Sequence, residues 1–393
     1  MKIHFIVNTA FPYGAATTTR TFSYAKGFVD NGVECEVIIP IPTCSFNDSL
    51  NLESKGIYKG VPFRYSCSSS RRSTSFIKRR CFDLIGQIKT LFYILRIPKG
   101  DIALFYNGSD NWNLISMIAC RLSRTKSVIE INELPHVVGK QTKEKEKQRQ
   151  RVLKKILPKF DGVIVISEEL KSMVGKYSKV KILKVPIITP PDIEGQLDNN
   201  CQDKYIFHSG SLTEAKDGVC GMLEAFGMAL PRIGSNVKFI LTGDIEKSPE
   251  KVRLKTIIAD YALEKNVLFT GYLKDEELRK YQSNCTMVII NKYDSLQNKY
   301  CFATKLSEYL AMKKPIVTTK IGEAMNYLQD NVNAYIVEPG NPQLIADKII
   351  EIFNNPEEAL RIGQNGFKLT QKDFNYKYQG KRMIEFFKNL LQE

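Results

Sequence analysis

What most limits the folds open to this chain is an alternation of elements that runs, breaks and starts again. Short β-branched runs alternate with helical patterns through residues 3–7, 19–31, 35–40, 101–106, 112–123, 127–131 and 162–167. Strands separated by helix-length segments cannot pair as hairpins. They need crossover connections, and so predict a parallel sheet with helices on both faces. A proline-rich stretch, Val185-Pro-Ile-Ile-Thr-Pro-Pro-Asp192, and polar residues 194–204 then interrupt the pattern. It resumes over 205–209, 218–229, 238–242, 250–263, 267–270, 276–282, 287–290, 304–312, 315–318 and 334–337, and closes with helical segments 342–354 and 374–391. The expected architecture is α/β, with two tandem Rossmann-like domains over residues 1–190 and 191–373. Ligands of such sheets bind at the carboxyl ends of the strands, here expected to face a cleft between the domains.

A length of 393 residues suits two cores better than one, and an apolar fraction of 43% excludes wholesale disorder. The formal charge of +15 points to anionic partners such as nucleotides or phospholipid headgroups. Nothing beyond that charge favours nucleic acid: there is no recognition motif, and no nucleic-acid partner is expected. Nine cysteines are scattered without a Cys-x-x-Cys pair, which reads as reduced thiols in a cytoplasmic protein. The opening run, Met1-Lys-Ile-His-Phe-Ile-Val-Asn8, reads as a first buried strand rather than a signal peptide. No apolar run reaches the roughly 20 residues that span a bilayer, so membrane contact would be peripheral.

Two basic stretches interrupt the first domain. Residues 71–96 mix cations with Phe, Leu and Ile at helical spacing, and segment 71–99 is expected to meet an anionic membrane at its inner, cytoplasmic face. Residues 140–159 form a Lys/Arg-rich helical pattern diluted by Glu144 and Glu146, for which a solvated surface face is equally good.

The chemistry concentrates in the second domain. Phe302-Ala303-Thr304-Lys305-Leu-Ser-Glu308-Tyr-Leu-Ala-Met-Lys-Lys-Pro315 opens a helix with a cation and carries one carboxylate on an otherwise apolar pattern. A helix N-terminus, Lys305 and Glu308 around one point would suit a diphosphate beside a ribose. A buried Glu308 needs a hydrogen-bonding partner, and an internal pair is the plain alternative. His208-Ser-Gly210-Ser211-Leu-Thr-Glu-Ala-Lys216-Asp-Gly218 follows a strand, with Gly210 permitting a tight turn and Lys216 able to reach a phosphate. Gly243 and the pair Tyr272 and Leu273 fill the next two strand ends. In the first domain, Gly14, Ala15 and Arg20 follow strand one, and Asn132, Glu133 and His136 follow the strand at 127–131. No Asp-x-Asp, His-Glu-x-x-His or Walker loop is present, so no metal or cofactor is expected.

These segments together resemble the retaining nucleotide-sugar glycosyltransferases of the GT-B fold, family 4, also called glycosyl transferases group 1, of the surface-polysaccharide type. Thr304-Lys305 with Glu308-Tyr-Leu-Ala311 looks like that family's donor-binding helix, although Tyr300 stands where the family has a second glutamate. His208–Gly218 resembles its Gly-Arg-Leu…Lys-Gly pattern, with Ser211 in the arginine's place. The resemblance implies donor contacts from Gly210, Ser211, Lys216, Gly243, Tyr272, Leu273, Phe302, Ala303, Thr304, Lys305 and Glu308. It implies catalytic roles for Lys216, Glu133 and Asn132, and a diphosphate or acceptor loop at Gly14, Ala15 and Arg20. Segment 374–393 looks like the closing helix that packs back on the first domain. The implied partners are a UDP- or GDP-sugar and a glycan or lipid-linked acceptor in cell-surface polysaccharide synthesis, the first domain taking the acceptor and the second the donor. Two rival expectations remain open: a sugar-nucleotide epimerase of the same fold, and a non-catalytic nucleotide-sugar-binding protein.

Overall fold

Residues Ile3–Val7, buried along their whole length, make the first strand (β1) of an eight-stranded sheet. The computed structural model describes residues 1–193 and 204–392, and the chain divides into two compact units. The N-terminal unit takes Met1–Pro191, Tyr300–Phe302 and the chain from Asp373; the C-terminal unit takes Asp192–Lys299 and Ala303–Lys372. Most of the polar stretch 194–204 that marks the sequence boundary lies outside the described residues.

In the N-terminal unit the elements run β1, α1 (Ala16–Asp30), β2 (Cys35–Ile39), β3 (Lys55–Tyr58), β4 (Val61–Tyr65), α2 (Phe76–Ile94), β5 (Ile102–Tyr106), α3 (Asp110–Ser123), β6 (Lys126–Ile131), α4 (Lys143–Arg151), β7 (Gly162–Val165), α5 (Glu168–Tyr177) and β8 (Lys181–Lys184). The sheet order is β3-β4-β2-β1-β5-β6-β7-β8, parallel except for β3 against β4. That hairpin is absent from the sequence reading. It turns on Lys59 and Gly60, both at positive φ, and such a two-residue turn matches strand twist without any Asn-Gly signature. The basic segment 140–159 is also more than one solvated helix. After α4 the chain passes through a π-helical turn at Val152–Ile156 and a 3-10 turn at Leu157–Lys159, and Arg149 is buried with Nε donating 3.0 Å to the Pro135 carbonyl.

In the C-terminal unit come β9 (Tyr205–His208), α6 (Glu214–Asp217), α7 (Val219–Ile233), β10 (Lys238–Leu241), α8 (Lys251–Asp260), β11 (Val267–Phe269), α9 (Asp275–Asn284), β12 (Met287–Ile290), α10 (Leu296–Tyr300), α11 (Lys305–Ala311), β13 (Ile316–Thr319), β14 (Tyr335–Val337), α12 (Pro342–Asn354) and α13 (Pro356–Gln371). Its sheet is wholly parallel in the order β11-β10-β9-β12-β13-β14. Helix α13 escapes the sequence reading because Gly363 and Gly366 interrupt its pattern. Both are there for close approach, since a β carbon would fall 2.5 Å from the Lys313 carbonyl oxygen and 2.7 Å from that of Asn333.

The last helix, α14 (Tyr376–Leu391), packs on α1 within the N-terminal unit. Met383, Ile384, Phe387 and Leu390 complete a core shared with β1, β2 and β5. The crossing is tight because glycine meets glycine: a β carbon on Gly380 would lie 2.7 Å from the carbonyl carbon of Gly27.

Candidate functional site

The strand order of the C-terminal sheet reverses between β9 and β12, and the loops leaving a parallel sheet at such a point diverge and open a crevice. His208 ends β9 there, and Asn291 and Lys292 follow β12. From His208 the chain runs through Ser209-Gly210-Ser211 into α6, which Gly218 stops in the left-handed conformation (φ +63°). This sets the Asp217 carboxylate at 2% exposure. Its Oδ1 takes the Lys305 ammonium at 2.7 Å and lies 3.9 Å from that of Lys292. Its Oδ2 accepts the Ser211 amide at 2.9 Å and the Ser211 hydroxyl at 2.8 Å. Burial opposes the charge, yet Lys305, His208 and Lys292 together hold the carboxyl well below the usual carboxylate range.

His208 faces the same point. Its Nδ1 sits 3.0 Å from the Ile289 carbonyl, which can only accept, so Nδ1 carries the proton and Nε2 is a bare acceptor. Nε2 is buried with no hydrogen-bond partner. Burial first, and Lys305 second, push the imidazole down to about 3, so it is neutral at physiological pH. Only glycine fits at 210: a β carbon there would lie 2.5 Å from His208 Nε2 and 2.8 Å from Asp217 Oδ2. Its amide donates 3.0 Å to Thr242 Oγ1.

Around this centre the expected residues separate. Lys305 is in the cluster, whereas Lys216 is exposed, and its carbonyl accepts from Lys292 Nζ. Ser211 acts through Asp217. The Gly243 and Gly271 backbones bond to each other at 2.8 and 3.2 Å, so the Gly243 amide and carbonyl knit β10 to β11. Tyr272 is 89% exposed beside half-buried Leu273. Ala303 and Thr304 are half-buried where α11 starts. Glu308 lies in the first turn of α11, 3.5 Å from Gln282 Nε2, and burial raises its carboxyl above the ordinary range. Tyr309 ties that helix to the β9 loop by accepting the Ser209 amide at 2.7 Å. Phe302 departs from the expected donor contact: it is buried, belongs to the N-terminal unit and packs edge-on against Phe374 at 5.8 Å.

Asp217, Lys292 and the Nε2 face of His208 were missed as functional groups. Their signals are weak: a carboxylate before a glycine, a lysine just past a strand, a histidine ending an apolar run.

In the N-terminal unit, Gly14 and Ala15 are exposed on the loop before α1, whose first turn has no side-chain cap. The loop is pinned by Asn51, whose Oδ1 accepts the Tyr13 amide at 3.0 Å. Arg20 is a correction. It is 4% exposed, with Nε 2.6 Å from Glu130 Oε1 and further bonds to Tyr24 and to the Pro186 and Val185 carbonyls. Burial opposes its charge, but Glu130 and Tyr24 more than offset it, raising the guanidinium above its ordinary value. A side chain so occupied cannot reach an acceptor.

Asn132, Glu133 and His136 line a cavity of about 390 Å³ with Tyr106, Asn113 and Glu130. Asn132 Nδ2 donates to the Tyr106 hydroxyl at 2.6 Å, and His136 Nε2 meets Asp110 at 2.9 Å. On that wall Glu130 Oε2 and Asn113 Oδ1 are buried acceptors without a partner. Among the described residues no cluster of metal-ligating side chains occurs.

Two tandem parallel-sheet units of this topology define the GT-B architecture. Residues 191–369 match the model of the glycosyl transferases group 1 family. The solved structures it resembles show the same fold over the whole chain. HepE of Anabaena, in complex with UDP, aligns with a TM-score of 0.68 at 17% identity, covering 99% of this chain and 100% of that one. Sucrose-phosphate synthase of Thermosynechococcus elongatus aligns at 0.72 and 16% identity over 100% of both. Among curated relatives, the capsular polysaccharide biosynthesis glycosyltransferase CapM of Staphylococcus aureus is 24% identical over 254 residues, 59% of this chain. The aligned stretch spans 62% of CapM, and 42% and 32% of two further curated relatives.

Proposed function

We propose that this chain is a retaining glycosyltransferase that takes a sugar from a nucleoside-diphosphate donor held by its C-terminal unit and passes it to an acceptor held by its N-terminal unit. The observation that carries the reading is the Asp217 cluster at the strand-order reversal. Two ammonium groups share one carboxylate, which leaves net positive charge aimed where a diphosphate would depart. Held in place before reaction, Lys305 and Lys292 stabilise charge growing on the leaving group without reorganising, and Lys216 adds a mobile cation at the rim. Glu308 accepts the ribose hydroxyls, Gly210 lets the donor approach the backbone, and Tyr272 with Leu273 flank the base. UDP or GDP is the expected nucleotide; HepE, of the same fold, is known in complex with UDP.

The N-terminal cavity lined by Asn132, Glu133 and His136 offers hydrogen-bonding side chains of the kind that a hydroxyl-rich glycan acceptor would use. Asn132 and Glu133 would bear on the transferred sugar. With no carboxylate committed as nucleophile, retention implies attack from the leaving group's own face. A cell-surface polysaccharide as product accords with CapM among the relatives. The test is thermal-shift titration with UDP and GDP, followed by donor hydrolysis in Lys305→Ala, Lys216→Ala and Glu308→Ala. A selective shift and losses of about a hundredfold in turnover are expected. Full activity in all three variants would overturn the site.

A further inference from the structure

Helix α2 is inside out for a surface helix. The face it turns to the sheet carries Gly86, Thr90 and Ile94, and a β carbon at 86 would lie 1.9 Å from the Pro40 carbonyl oxygen. Phe82 also packs against the core, but most of the helix's large apolar side chains point the other way. Ile77, Leu84, Ile85, Ile88, Phe92 and Leu95 are 41–74% exposed, and at helical spacing they form one stripe about 100° wide. Helix α3, which contacts α2, adds Ile115, Ile118 and Leu122, exposed at 48%, 46% and 73% and also on one face. Nine large apolar side chains exposed on two neighbouring helices call for an occupant.

The charge around the patch identifies it. Lys78, Lys89, Arg96, Lys99 and Arg124 are exposed along its margins, and Asp83 is the one acid on α2. Lys89 also lines a cavity of about 260 Å³ with Lys55 and Arg64, a grouping that fits a phosphate. Two copies pressed together through this face would set cation against cation, whereas an anionic bilayer complements both the stripe and its margin. Among the described residues no helix is long and apolar enough to cross a membrane, so the contact lies in the interface.

We propose that the outer faces of α2 and α3 together dock the protein on an anionic lipid bilayer, the apolar side chains entering the interface and Lys78, Lys89, Arg96 and Arg124 meeting headgroup phosphates. This stands apart from the glycosyltransferase reading and fails separately from it. The experiment is flotation of the full chain with phosphatidylcholine vesicles, with and without phosphatidylglycerol. Binding is expected only with phosphatidylglycerol, and is released by salt. Ile88→Glu/Phe92→Glu abolishes it, Leu122→Glu weakens it, and Lys89→Ala/Arg96→Ala lowers the partition coefficient about thirtyfold. All these positions are exposed, and unchanged circular dichroism and thermal midpoint show that the fold is retained. Equal binding by wild type and Ile88→Glu/Phe92→Glu would overturn the proposal. So would a wild type that ignores vesicles but sediments as a dimer broken by that variant.

Discussion

The Lys305 ammonium lies 2.7 Å from Oδ1 of Asp217, 88 residues earlier, and joins the start of α11 to the end of α6. The pair spans the point where the strand order reverses. Asp217 is the common counter-ion for Lys305 and Lys292, so its charge holds both ammonium groups in position. Asp217→Asn should therefore cost about 3 kcal/mol in urea unfolding, because two largely buried cations lose their carboxylate. Added UDP should restore more stability to this variant than to wild type, since a diphosphate supplies the missing negative charge. Identical stabilisation of the two proteins by UDP would place the nucleotide elsewhere.

Gly210 makes a steric prediction with its own control. Gly210→Ala sets a methyl 2.5 Å from His208 Nε2, so it should destabilise by about 2 kcal/mol and weaken nucleotide binding. Adding His208→Ala removes the nearer obstacle and should recover part of both losses. Purely additive effects of the two substitutions in calorimetry would rule out the clash.

The α/β class was legible because periodicity survives in single strands: residues 287–290 and 342–354 have the same bounds in sequence and structure. The β3–β4 hairpin was not, because its strands are short and its Lys59-Gly60 turn carries only one glycine as a signal. Helix α13 was hidden by glycines that serve packing against Lys313 and Asn333, a tertiary demand that contradicts local propensity. At the candidate site, pattern singled out Gly210, Ser211, Lys305 and Glu308 as expected donor contacts. It gave no view of Asp217 as the point on which Ser211, Lys292 and Lys305 converge, since that convergence comes from α6, the end of β12 and α11. Arg20 shows the converse: an arginine one turn into a helix reads as exposed, and only the fold brings Glu130 to it.

That ion pair predicts a structural phenotype for Arg20. Arg20→Met leaves Glu130, which already has one unpartnered oxygen, as an uncompensated buried charge. The loss should be about 3–5 kcal/mol in urea unfolding. Restoring neutrality with Glu130→Gln in the same chain should return much of it. An Arg20→Met protein of wild-type stability with a raised Michaelis constant for acceptor would instead return this arginine to the acceptor site.

The buried imidazole of His208 sets the acid limit of the C-terminal unit. Its pKa is about 3 in the folded protein against an ordinary value of 6.5, with burial and then Lys305 as the causes; Lys292 acts the same way, while Asp217 favours the charged form. Between those values the unfolded chain binds a proton that the native state refuses. Stability from this group is thus fully present above about pH 6.5 and falls as pH drops towards 3, at up to about 1.4 kcal/mol per pH unit. His4, also lowered mainly by burial, contributes with the same sign. Asp217, held low, loses its own contribution only below the ordinary carboxylate value of 3.8. Urea unfolding at about pH 7 and about pH 5 should therefore show a marked acid slope that is reduced, but not abolished, in His208→Asn. An unchanged slope in that variant would mean that the native state accommodates the imidazolium, and that the point shared by His208, Gly210 and Asp217 is open to water.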